Sequence, residues 1–244
     1  MTISFRSLLV VLASAWLLAM TTAVTATQGA AQPAPPAAKG TVVPLGRFDK
    51  AIRADFFAGF TGDTARFDRA MTLCETILAG DPDHAEALVW HGGGLGFRAG
   101  AAFQSGDFKT GGELWGRGIA EMARAVSLQP DNVGVRIPRG AVLLEASRQM
   151  PPAQALPLVK IAMEDYEHVL KLQTPYFNKL SEHARGELLF GLADGWARLG
   201  DKEKAREYFT RLTSSASGSG RATYAKAWLD GAPPANVGRC VGCH

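Results

Sequence analysis

TARFDRAMTLCETILAGDP, residues 64–82, decides the fold class. Phe67, Ala70, Met71, Cys74, Ile77 and Leu78 recur at three- and four-residue steps, which puts them on one face of a helix spanning about 65–79. Asp63 or Thr64 can cap its start, and Gly80-Asp81-Pro82 stops it. The same period returns at 111–128, through Leu114, Trp115, Ile119, Met122 and Val126, and at 153–172, through Leu156, Val159, Met163, Tyr166, Val169 and Leu170. Each helix is preceded by a segment fit to be its antiparallel partner: 49–60, 84–105 and 138–149. No alternating strand pattern becomes established, so the chain reads as all-α.

The stops Pro82, Pro130 and Pro175 divide the middle of the chain into units of similar size, which calls for a repeat test. GELLFGLADGWARLGDKEKAREYFTRL, residues 186–212, resembles a tetratricopeptide repeat, with Leu189, Leu192, Ala193 and Trp196 on its first helix. Gly200 sits at the turn, and Ala205 and Phe209 sit on the second helix. Residues 65–82 resemble the second half of such a repeat, with Ala70, Cys74, Ile77 and Pro82 in register. The resemblance covers about one repeat well and the rest loosely. The middle units exceed the roughly 34-residue period and need extended helices or longer turns. It implies antiparallel helix pairs stacked as a solenoid with a concave face for a protein partner.

The ends read differently. Arg6, the apolar run LLVVLASAWLLAM at 8–20 and the closing Val24-Thr25-Ala26 have the order of a secretory signal, giving a signal peptide at 1–26 and a periplasmic location. An uncleaved N-terminal anchor is the alternative and the one expected contact with membrane. Residues 27–46 are a Pro/Ala-rich linker, 47–230 the helical domain and 231–244 a flexible tail, with both ends expected to be disordered. Cleavage lowers the formal charge from +3 to about +2, a balance that predicts no nucleic-acid partner.

Of the three cysteines, Cys74 lies on an apolar stripe and reads as a buried thiol. Cys240 and Cys243 stand in Cys240-Val241-Gly242-Cys243-His244, which matches the haem-attachment motif of the c-type cytochromes. Two thiols at this spacing can form thioethers to haem vinyl groups while the adjacent imidazole takes the iron. Scattered at random, these residues would form the pattern in roughly one chain in two thousand. The resemblance implies one covalent haem c, with His244 as proximal iron ligand. It departs from the family in position: there the motif opens a small domain that supplies the distal ligand downstream, and here no residue follows His244 in the sequence. A Cys240–Cys243 disulfide and a metal site remain alternatives, the latter lacking an evident fourth ligand.

A sixth iron ligand would then come from the body or from another protein. His91, His183, His168 and His84 and the methionines Met71, Met122, Met150 and Met163 are candidates, with His91 preferred because it adjoins Trp90 and the glycines of HGGGLGFRAG, where a flat ring could fit. Close helix packing is the competing explanation of those glycines. Their likeness to an esterase oxyanion loop fails for want of a G-x-S-x-G elbow. Arg136 and Arg139 flank Pro138, expected in the first turn of a helix, where they could hold an anionic ligand or partner group; salt bridging between repeats is the alternative. No nucleophile–base constellation points to an enzyme. The sequence thus suggests a periplasmic scaffold whose haem exchanges electrons with a redox partner or helps assemble a redox complex. A haem-free interaction scaffold and a small-solute carrier are the rival functions.

Overall fold

A computed structural model describes residues 48–232, and the signal, linker and Cys-x-x-Cys-His readings lie outside them. The described residues hold nine α-helices: α1 Phe48–Phe60, α2 Thr64–Gly80, α3 Ala85–Gln104, α4 Phe108–Leu128, α5 Val133–Ser147, α6 Pro152–Gln173, α7 Glu182–Arg198, α8 Lys202–Ser215 and α9 Gly220–Leu229. A short 3-10 helix, Thr174–Lys179, follows α6, and no strand occurs among the described residues. None of these helices is long and apolar enough to cross a membrane.

One local device makes three of the helix reversals. Gly62, Gly106 and Gly200 adopt positive φ, and each is followed by an aspartate, Asp63, Asp107 or Asp201, whose side chain accepts a hydrogen bond from the backbone N–H three residues on. The aspartate N–H groups donate back to the carbonyls of Ala58, Ala102 and Trp196, closing the end of the preceding helix. A left-handed residue ends one helix and the next side chain starts another, so the chain reverses within three residues. A second device recurs at Asp81-Pro82-Asp83-His84 and Gln129-Pro130-Asp131-Asn132. There His84 and Asn132 cap α3 and α5 through Nδ1 and Oδ1, and their N–H groups bond Asp81 and Gln129.

The odd-numbered helices run side by side in the same direction. Phe48 meets His84 and Phe60 meets Phe97 between α1 and α3; Asn132 meets Glu86 and Val142 approaches Gly93 between α3 and α5. Arg148 bonds Asp194 and Arg198 bonds the Leu144 carbonyl between α5 and α7, while Arg221 meets Glu187 and Phe190 meets Tyr224 between α7 and α9. The even helices pack antiparallel against this row. Met163 and Tyr166 of α6, for example, fill the space at Gly195, Gly191 and Gly140, so the α6 side chains wedge between α5 and α7.

The helices of the middle units are long, 20 to 22 residues for α3, α4 and α6. Two sequence expectations are corrected. Pro138 lies inside α5, whose start is set earlier by Asn132 capping Gly134 N–H. The proline then withholds a donor from the Gly134 carbonyl only, close to the first turn. Leu156 is 44% exposed, because the inward stripe of α6 runs through Ala155, Val159, Ala162, Met163, Tyr166 and Val169, and Leu156 is turned about 100° from Ala155.

Candidate functional site

Cys240, Cys243 and His244 lie outside the described residues. Gly231 takes a positive φ after α9, and Ala232 N–H donates to the Ala227 carbonyl, which ties the last described residues to the C-terminal end of α9. Because the odd helices are parallel, that end also carries the C-termini of α5 and α7.

His91 sits in the middle of α3, 1% exposed, between two neighbouring helices. Its Nδ1 lies 2.6 Å from Glu121 Oε2 of α4 and its Nε2 3.6 Å from Glu75 Oε1 of α2, and Arg117 Nε donates to the other Glu121 oxygen at 2.8 Å. The glycines beside it serve contact between helices. A Cβ on Gly92 would stand 2.7 Å from the Gly118 carbonyl, Gly93 faces Val142, and the space at Gly94 is taken by Met71 and Phe56. The room that the sequence reading gave to a flat ring is filled by side chains and backbone, so packing accounts for the Gly run.

Glu121 feels opposing influences. Burial raises its pKa, but hydrogen bonds and charge from His91 and then Arg117 outweigh it and hold the carboxyl below its usual 4.5. A depressed folded pKa contributes stability that is present above the unfolded value and lost as pH falls through the folded one. Wild-type protein is therefore expected to lose stability on acidification below about pH 4.5, with Glu121→Gln flattening part of that slope in urea titrations.

Arg136 and Arg139 converge on a single carboxylate. Asp165 of α6, fully buried, accepts from Arg136 Nη1, Arg139 Nε and Arg139 Nη2, each at 2.7 Å, and Arg136 Nε also reaches the Pro130 carbonyl. The pair thus bridges α5 to α6, the two helices of one antiparallel pair, so the charges are paired structurally as the salt-bridging alternative had it, but within a unit and not between repeats. Sequence reasoning missed the equivalent ties between odd helices, Arg148–Asp194 and Arg221–Glu187, since partners 46 and 34 residues apart carry no local signal.

The other candidates have structural roles or surface positions. His84 caps α3, His168 Nε2 lies 2.7 Å from Asp131, and His183 is in the first turn of α7. Met71, Met122 and Met163 are core residues, and Met150 is half-buried between α5 and α6. Burial, then the charges of Glu75 and Glu121, push the Cys74 thiol up to about 12. Alkylating reagents at pH 8 should leave Cys74 unmodified in the folded protein and label it in denaturant, as mass mapping would read. Among the described residues no group of three or more His, Cys, Asp or Glu is placed to hold a metal ion. No protein-family model matches the chain, and no curated protein does.

Proposed function

We propose that this chain is an exported, tetratricopeptide-like scaffold that carries one covalent haem c on Cys240 and Cys243, with His244 as proximal iron ligand. One observation carries the reading: Cys240-Val241-Gly242-Cys243-His244 stands on a chain that opens with a secretory-type leader, and export delivers it to the compartment where haem is attached. The donor set suits the group, since two thiols supply thioethers and an imidazole supplies iron ligation. When bound, haem contributes one-electron exchange. The described residues contribute the surface that selects a partner, and the protein acts in electron transfer or in assembling a periplasmic redox complex rather than as an enzyme.

The solenoid part of the proposal rests on register. Contacting residues on successive odd helices are 33–37 positions apart between α1 and α3 and 34 between α7 and α9, near the tetratricopeptide period of roughly 34. The middle steps are longer, 46–49 between α3 and α5 and 46–54 between α5 and α7, which the long middle helices absorb. The row α1, α3, α5, α7, α9 would form the concave, partner-facing side.

Expression of the full chain with a c-type haem attachment system tests the reading. A pyridine haemochrome spectrum of the purified, denatured protein should report thioether-bound haem, abolished in the Cys240→Ser, Cys243→Ser double variant. A wild-type protein without haem under conditions that mature a control cytochrome would refute it and favour the disulfide.

A further inference from the structure

We infer that the row of odd helices carries, between α5 and α7, a binding site for a small zwitterion of the α-amino acid class, centred on Tyr166 Oη and Asp194 Oδ1. The site lies wholly within the helical body and does not depend on haem.

Tyr166 reaches it from α6. A Cβ on Gly191 would stand 2.2 Å from Tyr166 Cε1 and Cζ, and one on Gly140 would stand 2.9 Å from Cε2. The ring therefore passes between α5 and α7 with its hydroxyl end over Gly191. Residues three or four apart share a helix face, so Glu187 and Asp194 flank that hydroxyl one turn to either side. Arg221 of α9 reaches Glu187 at 3.3 Å, and Arg148 of α5 reaches Asp194 at 2.6 Å. Burial above all raises the Tyr166 pKa, with the charge of Glu187 next, so the hydroxyl stays neutral and able both to accept and to donate.

Tyr166 and Asp194 are each only 3% exposed. Among the described residues Tyr166 Oη has no hydrogen-bond partner, and Asp194 engages Arg148 through Oδ2 alone. The polar side-chain atoms fully enclosed there without a partner are Nε1 of Trp90 and of Trp196, so Tyr166 Oη and Asp194 Oδ1 open to solvent. Side chains buried to this degree that turn an unpaired polar atom outward call for a hydrogen-bonding guest. Arg198, one turn beyond Asp194 on α7, supplies donors. Its Nη1 binds the Leu144 carbonyl, while Nε and Nη2 have no partner among the described residues.

Charge balance selects the guest. Arg148, Arg198 and Arg221 stand with Glu145, Glu187 and Asp194, three charges of each sign. A simple anion or cation would add an unmatched charge to this half-buried setting, at a desolvation cost. A zwitterion adds none. Its ammonium donates to Asp194 Oδ1 and Tyr166 Oη, and its carboxylate, one carbon away, accepts from Arg198, on the order of 6 Å farther along the helix.

The test titrates the common L-amino acids into full-length protein by isothermal calorimetry, with propionate and ethylamine as the two single-charge parts of alanine. One or more amino acids should bind saturably, and neither propionate nor ethylamine should match alanine. Tyr166→Phe keeps the ring that fills Gly140 and Gly191, so its Tm without ligand should hold while affinity falls roughly tenfold. Asp194→Asn should weaken binding at least as much, with circular dichroism checking that α5 and α7 stay folded. No heat from any amino acid, equal binding of propionate or ethylamine, or affinity unchanged in Tyr166→Phe would overturn the site.

Discussion

Asp165→Ala is expected to destabilise the helical body by about 3–5 kcal/mol, measured from the urea midpoint at constant slope. The carboxylate is fully buried and takes three charge-assisted hydrogen bonds at 2.7 Å from two guanidiniums that are each only 12% exposed. Deleting it leaves both cations between α5 and α6 with no counter-charge and little water. The expected loss is the cost of that stranded charge, and it exceeds what the intact bridge contributes over an apolar replacement. Arg139→Lys should cost less, because an ammonium keeps the charge while losing the two-point grip on Asp165. A change under about 1 kcal/mol in Asp165→Ala would mean that solvent or another group reaches the arginines and that the bridge does not hold α5 to α6.

Gly118→Val should have an effect of similar size by a different route, about 3 kcal/mol or a fall of roughly 10 °C in Tm. A Cβ at Gly118 would stand 2.6 Å from the Gly92 carbonyl, and one at Gly92 would stand 2.7 Å from the Gly118 carbonyl. Both obstacles are backbone, so no rotamer change relieves them, and α3 and α4 would have to move apart. That movement would disturb the His91–Glu121 contact, which spans the same two helices. Gly112 and Gly116 lie on α4 with nothing within 4 Å of an added Cβ. Alanine there should stabilise by up to about 1 kcal/mol through helix propensity. Opposite signs along one helix, read by thermal melts, separate a packing role from a general intolerance of substitution. Equal effects at Gly112 and Gly118 would contradict the close approach.

The sequence carries much of this helical body in local terms. Apolar steps mark α2, α4 and α6 to within three residues at either end, because burial on one face leaves a period that neighbours in the chain share. The Gly-Asp turns were equally open to reading at 62–63, 106–107 and 200–201, as a left-handed residue followed by a cap. What escaped depends on partners distant in sequence. Pro138 suggested a first turn, yet Asn132 had already started the helix six residues earlier. The glycines near His91 were legible as close helix packing, but composition alone could not tell that from space for a ring, because it does not name Met71, Phe56 and a backbone carbonyl of α4 as what fills it. Arg136 and Arg139 could be singled out from their spacing, but Asp165 could not be named as their target, since the two helices meet only after folding. For the proposed haem site the sequence is the whole source: Cys240, Cys243 and His244 are legible as a chemical motif in a single line of residues, and they lie outside the described residues.

The most direct test of the central proposal is the intact mass of full-length protein matured in a bacterial host with the haem attachment machinery. Cleavage after Ala26 with thioether attachment at Cys240 and Cys243 predicts the mass of residues 27–244 plus one haem, retained through acid and organic solvent. The mass of residues 27–244 alone, or that value less two hydrogens for a Cys240–Cys243 disulfide, would contradict it.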